Sequence, residues 1–231
     1  AAYEKIYRQF QHYFKEGIAT DYEHRAALAG LLRFESSTLP AGQLTSLGDY
    51  VSRMTSAQTE IYFLHARDRA AAESGPYLEA FKARGLEVLL GFEPLDDFVI
   101  SQLGTFQEKH LANADQADLK LPELPETATG EPLSADALAG LCAWLKEILG
   151  EDRVTTVEGG SRLVDSPAIA LNSDSLVTAN MRRILRSMKN DDQAPAAAVV
   201  LQLNPRHPLV KNLDALRAKD ADLARLVGEQ L

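Results

Sequence analysis

Cysteine occurs once in this chain, at Cys142, so no disulfide can close within it, and its five histidines show no HxxxH spacing to hold a metal. A reducing, cytoplasmic setting follows as the expectation. No apolar run approaches the roughly 20 residues needed to span a bilayer. The opening Ala1-Ala2-Tyr3-Glu4-Lys5 lacks the apolar core of a signal peptide, so neither a membrane role nor a targeting segment is expected. Basic charge is also scarce: 24 Lys and Arg stand against 33 Asp and Glu, net −9. That balance argues against a nucleic-acid surface, which needs clustered cations to neutralise phosphates. A phosphate cradle is missing too, because the only paired glycines, Gly159-Gly160, precede Ser161-Arg162-Leu163 without a helix start or a Lys-Ser/Thr pair.

Catalytic constellations are equally sparse. Asp96 and Asp97 are adjacent, so on a helix they point to different faces and cannot act as one acid-base dyad. Asp191-Asp192 follow a helix end and read as a solvated turn. His65 has Asp68 nearby but no Ser in a nucleophile-elbow context. His207, between Arg206 and Pro208, reads as a turn residue, and Cys142, beside Ala143-Trp144 on an amphipathic helix, as a small buried hydrophobe. The expectation is no catalytic residue, no metal and no cofactor in this chain.

What is present is core-forming material: 231 residues at 45% hydrophobic content suffice for two domains, each with its own core. Tyr3, Ile6, Tyr7, Phe10, Tyr13 and Phe14 recur at steps of three and four, predicting one apolar stripe on a helix that ends at Gly17. Asp21 is the expected N-cap of a second helix carrying Ala26, Ala27, Leu28, Leu31 and Leu32, and a third is expected from Ser46 to about Met54. Ile61 to Leu64 then reads as a strand, Asp68 to Glu73 and Pro76 to Arg84 as helices, and Leu86 to Leu90 as a second strand after Gly85. Two strands with helix between them predict a parallel β-α-β unit with a right-handed crossover. Asp96 opens a short helix through Leu103, and beyond Phe106 the strand signal is weak.

Leu121 to Pro132 holds three prolines, a glycine and no periodicity, so the domain boundary is placed at 122–133. Beyond it Ser134 caps a helix to about Leu149, and Arg153 to Val157 reads as a strand. Ser173 or Asp174 caps a helix to Lys189, Ala197 to Leu203 forms a further strand, and helices follow. The fold class expected is α/β and α+β. A helical coil over 1–56 precedes a small three-layer α/β unit over 57–121, and an α+β domain with a small three-stranded sheet occupies 134–231. The first helix lacks a capping side chain and the last, from Asp220, lacks a stop, as expected of a piece excised from something longer.

A series of segments resembles the heat-shock protein 90 chaperone family, in family order. They are Tyr3-Glu4-Lys5, Phe14-Lys15-Glu16-Gly17-Ile18 with Asp21, Leu31-Leu32-Arg33-Phe34, and Asp49-Tyr50-Val51-Ser52-Arg53-Met54 followed by Gln58 and Ile61-Tyr62-Phe63. Pro76, Leu78-Glu79, Gly85, Glu87-Val88-Leu89, Pro94 and Asp96-Asp97 continue the series. Ser161-Arg162-Leu163, Ser166-Pro167-Ala168 and Leu203-Asn204-Pro205 with His207-Pro208-Leu209-Val210 complete it. The resemblance implies that 1 to about 121 is the C-terminal half of the family's middle domain and 133–231 most of its C-terminal, dimerisation domain without the last helices. It also implies that the parent's ATP and Mg site, with the loop whose Arg reaches the nucleotide phosphate, lies upstream, so this piece should not hydrolyse ATP. The partners implied are partly folded client proteins and cochaperones. The parent would be a homodimer and this piece a monomer or weak dimer.

Two candidate client-binding sites follow. On helix 174–189, Leu176, Val177, Met181, Ile184, Leu185 and Met188 line one side and Arg182, Arg183, Arg186 and Lys189 the other. Such a stripe is ordinarily core, yet methionine suits a surface that accepts many partners, and the resemblance places Val177 and Met181 at client-touching positions. The second site is Asp97-Phe98 with Ser101, where bacterial members carry a carboxylate followed by an aromatic. Phe in place of the commoner Trp loses an N–H donor and some area. The bland alternative is that Asp96 caps the helix and Phe98 fills the core of the small sheet. A structural adaptor without chaperone activity and a small α/β enzyme are the alternative functions.

Overall fold

In the computed structural model, which describes residues 2–56, 58–123, 130–174 and 199–231, helix α1 (Ala2–Thr20) runs three residues past the glycine expected to end it. A Cβ at Gly17 would lie 2.8 Å from Leu28 Cδ1. The glycine is therefore a point of close approach between α1 and α2 (Arg25–Leu31), not a stop. Asp21 likewise does not cap α2, whose N-cap position is His24; its carboxylate instead accepts the His24 amide at 3.0 Å and closes the connecting turn.

The chain is mixed α and β, and it divides into two compact units, 1–78 with 86–114 and 79–85 with 115–231. Of the proline-rich stretch read as a linker, residues 124–129 lie outside the described residues and the remainder belongs to the second unit.

The first unit carries a five-stranded sheet in the order β1-β3-β2-β5-β4. Its strands are β1 (Glu35–Ser36), β2 (Glu60–His65), β3 (Leu89–Gly91), β4 (Thr105–Phe106) and β5 (Lys109–Asn113). The expected parallel pairing of β2 with β3 is present, and β5 adds a second parallel neighbour to β2. Helices α3 (Leu47–Arg53), α4 (Arg69–Ser74), α5 (Pro76–Lys82) and α6 (Asp96–Leu103) complete it, α5 continuing into the second unit. Asp68 caps α4, and Ser46 with Asp49 forms a reciprocal capping box on α3. Ile18, Leu32, Phe34, Leu47, Tyr50, Ile61, Phe63, Leu89, Val99, Ile100 and Leu111 form its core.

Strand β3 is shorter than the apolar run predicts because the groups just before it are committed elsewhere. The Glu87 carbonyl accepts the Tyr50 hydroxyl at 2.7 Å, and Val88 exchanges hydrogen bonds with Ser37 through its amide and carbonyl.

In the second unit, α7 (Ala135–Leu149), capped by Ser134, precedes a three-stranded sheet in the order β6-β8-β7. Central β8 (Val199–Leu203) runs parallel to β6 (Val154–Gly159) and antiparallel to β7 (Ala168–Asn172). Helices α8 (Pro208–Arg217) and α9 (Ala221–Gln230) follow, capped by His207 and Asp220. Leu141, Leu145, Leu201, Leu203, Val210 and Leu213 build the core, which includes Cys142. Burial, with the nearby Glu158 charge, pushes the Cys142 thiol up and keeps it protonated.

The motif residues of this unit are anchors. Glu79 accepts the amides of Val164, Asp165 and Ser166 together with the Ser166 hydroxyl. From the other side Asn204, 2% exposed, donates to the carbonyls of Val164 and Ser166. Arg162 donates to the carbonyls of Gln116 and Leu119 at 3.0 and 2.9 Å, while Arg84 donates to those of Ser161 and Arg162.

Candidate interaction surface

Helix α6 is short, eight residues, so its orientation depends on what grips its ends. At its start the Asp96 carboxylate accepts the Glu93 amide at 2.9 Å and pairs with Lys15 Nζ of α1 at 2.6 Å. Both side chains of that pair are less than 5% exposed. Lys15 also donates to Gln11 at 2.9 Å, which satisfies a second ammonium proton. At the far end Arg25 donates to the carbonyls of Gln102 in α6 and Ile18 in α1, at 3.0 and 2.9 Å. A guanidinium there complements the partial negative charge where helices end. Gly104, at φ +64°, then turns the chain into β4.

The sides of α6 are consequently fixed. Val99 and Ile100 face the core at 0% and 1% exposure, and Asp96 and Asp97 are each 2% exposed. Phe98 is half-buried, Ser101 is exposed and Leu95, just before the helix, is 40% exposed. Steps of three residues put Leu95, Phe98 and Ser101 on one outward arc. Asp97, at the border of the buried arc, offers a partner almost no area. Asp96 holds the helix through Lys15 and the Glu93 amide instead of through a cap, the N-cap position being Leu95. The other candidate residues, Val177, Met181, Ile184 and Leu185, lie outside the described residues.

Pattern reading missed a second apolar surface, on α1. The six-residue stripe was expected to face one way, yet Tyr7 is 1% exposed whereas Ile6, Phe10 and Tyr13 are 52%, 42% and 61% exposed. At about 100° per residue the large side chains of α1 from Tyr3 to Ile18 spread over about 140°. A single packing face covers one edge of that arc. Tyr3, Tyr7, Phe14 and Ile18 occupy the inner edge, with Tyr7 stacked on Phe14 at 5.9 Å between centroids. Ile6, Phe10 and Tyr13 form a ridge on the outer edge, and the width of the stripe was the signal for it.

Among the described residues no group of three or more His, Cys, Asp or Glu side chains is placed to hold a metal ion, and no helix is long and apolar enough to cross a membrane. The first unit thus carries apolar side chains in solvent on α1 and on α6, the latter held at both ends. The family described as Hsp90 protein matches residues 1–227, and the chain belongs to that family. It is 40% identical to the chaperone protein HtpG of Desulfitobacterium hafniense, over 99% of this chain and 37% of that protein. The corresponding protein of Desulfotalea psychrophila is 39% identical over 99% of this chain and 38% of its own length. Heat shock protein 75 kDa, mitochondrial, of Rattus norvegicus is 36% identical over 99% and 33%. The chain thus spans about a third of the length of the curated relatives it matches.

Proposed function

We propose that this chain is a client-binding portion of an Hsp90-family chaperone, one that holds partly folded proteins on apolar side chains kept in solvent by a rigid framework. The observation that carries the reading is the seating of α6: a buried ion pair at one end and an arginine clamp at the other hold Phe98 and Ser101 outward. Covering apolar area gains about 25 cal/mol per Å², and a native client offers little such area where an unfolded one offers much. Val177, Met181, Ile184 and Leu185 are proposed as the second contact.

ATP hydrolysis is assigned in this reading to a domain outside these 231 residues, which would shift the populated conformation of the parent and so the exposure of client contacts. The parent is proposed to be a cytoplasmic homodimer, and this chain a monomer or weak dimer.

The test is suppression of aggregation of a chemically unfolded protein by the chain alone, without ATP, compared across Phe98→Asp and the double variant Val177→Asp, Met181→Asp. Each is expected to weaken suppression while leaving the melting transition in place. Equal suppression by all three proteins removes these sites. Its absence in the parent sequence favours an adaptor without chaperone activity.

A further inference from the structure

Within the first unit, a cleft of ≈ 130 Å³ opens among α1, the start of β1 and the segment leading into α6, and its polar lining is unevenly satisfied. Tyr7 lines it, 1% exposed; the Arg33 amide lies toward its hydroxyl oxygen, but its hydroxyl proton meets no acceptor among the described residues. A buried phenol with an unmet donor is uncommon, because leaving such a group unpaired is destabilising. Burial, reinforced by the Asp96 charge, pushes the Tyr7 phenol well above its ordinary range, so it remains an O–H donor at any working pH.

The charged lining separates into committed and uncommitted groups. Asp96 is bound to Lys15 and the Glu93 amide, and Glu35 to Arg69 at 2.8 Å and the Gly42 amide at 3.0 Å. Both carboxylates are occupied. Arg8 by contrast uses one N–H, on the Gly42 carbonyl, and Arg33 uses only Nη1, on the carbonyls of Gly30 and Leu32. Their other N–H groups have no protein acceptor among the described residues. Each guanidinium carries five donors, so the unused capacity of the cleft is overwhelmingly donor capacity. Glu93, at the rim, is the one lining carboxylate without a hydrogen-bonded or ionic side-chain partner among the described residues, and two guanidinium charges outweigh it.

We propose that this cleft is a binding site for a small oxyanion, of the phosphate or carboxylate class, which accepts the Tyr7 hydroxyl proton and the free N–H groups of Arg8 and Arg33. Its size suits an inorganic phosphate or a short carboxylate. Several bound waters would also fit the volume, and the experiment separates the two cases.

Calorimetric titration of the whole chain with inorganic phosphate and, in parallel, with acetate gives the readout. At least one is expected to bind, the choice between them identifying a tetrahedral or a planar ligand. Tyr7→Phe and Arg33→Gln should each weaken binding about tenfold, the equivalent of one charge-assisted hydrogen bond. Glu93→Gln should tighten it by removing the opposing charge. Tyr7→Phe keeps the ring and discards only a hydroxyl whose proton is unpaired, so its thermal melt should be unchanged or raised; if Arg33→Gln fails to fold, Tyr7→Phe and Glu93→Gln decide the matter. No heat with either anion, or affinities unchanged in Tyr7→Phe and Glu93→Gln, overturns the proposal and leaves the cleft to water.

Discussion

The Tyr50 hydroxyl donates to the backbone carbonyl of Glu87 at 2.7 Å, and Arg53, one helical turn on, grips the carboxylate of that same residue through Nε and Nη2 at 2.9 and 2.7 Å. One glutamate is thus held by its main chain and its side chain, and through it α3 is fixed to the segment that enters β3. The Tyr50 hydroxyl also accepts from Gln58 Nε2 at 2.9 Å and from the Tyr62 amide at 3.1 Å, which ties in the start of β2. This segment of the family-like series is therefore a junction of the scaffold. Tyr50→Phe keeps the ring but removes all three hydrogen bonds of the hydroxyl, two of them buried, so it is expected to destabilise the first unit by about 1–3 kcal/mol. Urea unfolding measures this, and an unchanged midpoint contradicts it.

The Lys15–Asp96 pair makes a second prediction, about asymmetry. Removing one member of a buried ion pair strands the other charge, at a typical cost of about 3–5 kcal/mol, whereas replacing both by apolar side chains is often neutral or stabilising. Lys15→Met is accordingly expected to lower stability severely and Lys15→Met with Asp96→Leu to recover most of the loss. Aggregation suppression by the recovered double variant then reports whether the pair also orients Phe98. Equal destabilisation by the single and double changes would mean that the pair matters through packing and not through charge.

Much of this architecture was legible in residue patterns, and the failures have physical causes. Ser46, Asp68, Ser134 and Asp220 were readable as helix starts, and each is a cap, a short polar side chain placed to accept the amide three residues on. Strands β5 and β7 were not. Lys109, His110 and Asn113 dilute the apolar signal of β5, and two alanines lower the β propensity of β7, so both are defined by pairing with β2 and β8 more than by local preference. The capping role expected of Asp21 failed because α1 continues past Gly17. The candidate site on α6 rested on family resemblance alone: nothing local in the sequence distinguishes Asp97, 2% exposed, from an outward carboxylate. The ion pair that buries one end of this segment is made across the fold, between residues 81 positions apart.

Gly91 supplies a third prediction. It ends β3 where the Phe63 ring and Asp96 close in: a Cβ there would lie 2.5 Å from Phe63 Cζ and 2.8 Å from Asp96 Cβ. Phe63 is fully buried, and Asp96 is held by Lys15, so neither can retreat cheaply. Gly91→Ala is expected to destabilise by about 1–3 kcal/mol, the range for overpacking a well-filled core. Gly42→Ala meets no atom within 4 Å but sits at φ +79°, so it reports backbone strain alone. Paired denaturation curves separate steric from conformational loss, and a Gly91→Ala curve superposable on the parent's would refute the close approach.

Acid sensitivity should centre on Glu79. Partial burial raises the pKa of its carboxyl, but the Ser166 hydroxyl and the amides of Val164, Asp165 and Ser166 together outweigh that and hold it below its usual value of 4.5. A carboxylate whose folded pKa is depressed binds its proton more readily in the unfolded chain. Its stabilising contribution is therefore fully present above about pH 4.5 and disappears as pH falls through the lower, folded value. Glu79→Gln keeps the shape but brings an NH₂ against three amide donors, so at neutral pH it should be less stable than the parent. The gap between the two proteins should narrow steadily once the pH drops below 4.5, because protonation removes from the parent what the substitution has already removed. Urea midpoints for both proteins at neutral pH and at successive steps into acid give the comparison. A gap that stays constant across that range would show that the Glu79 charge is not what holds the 164–166 loop.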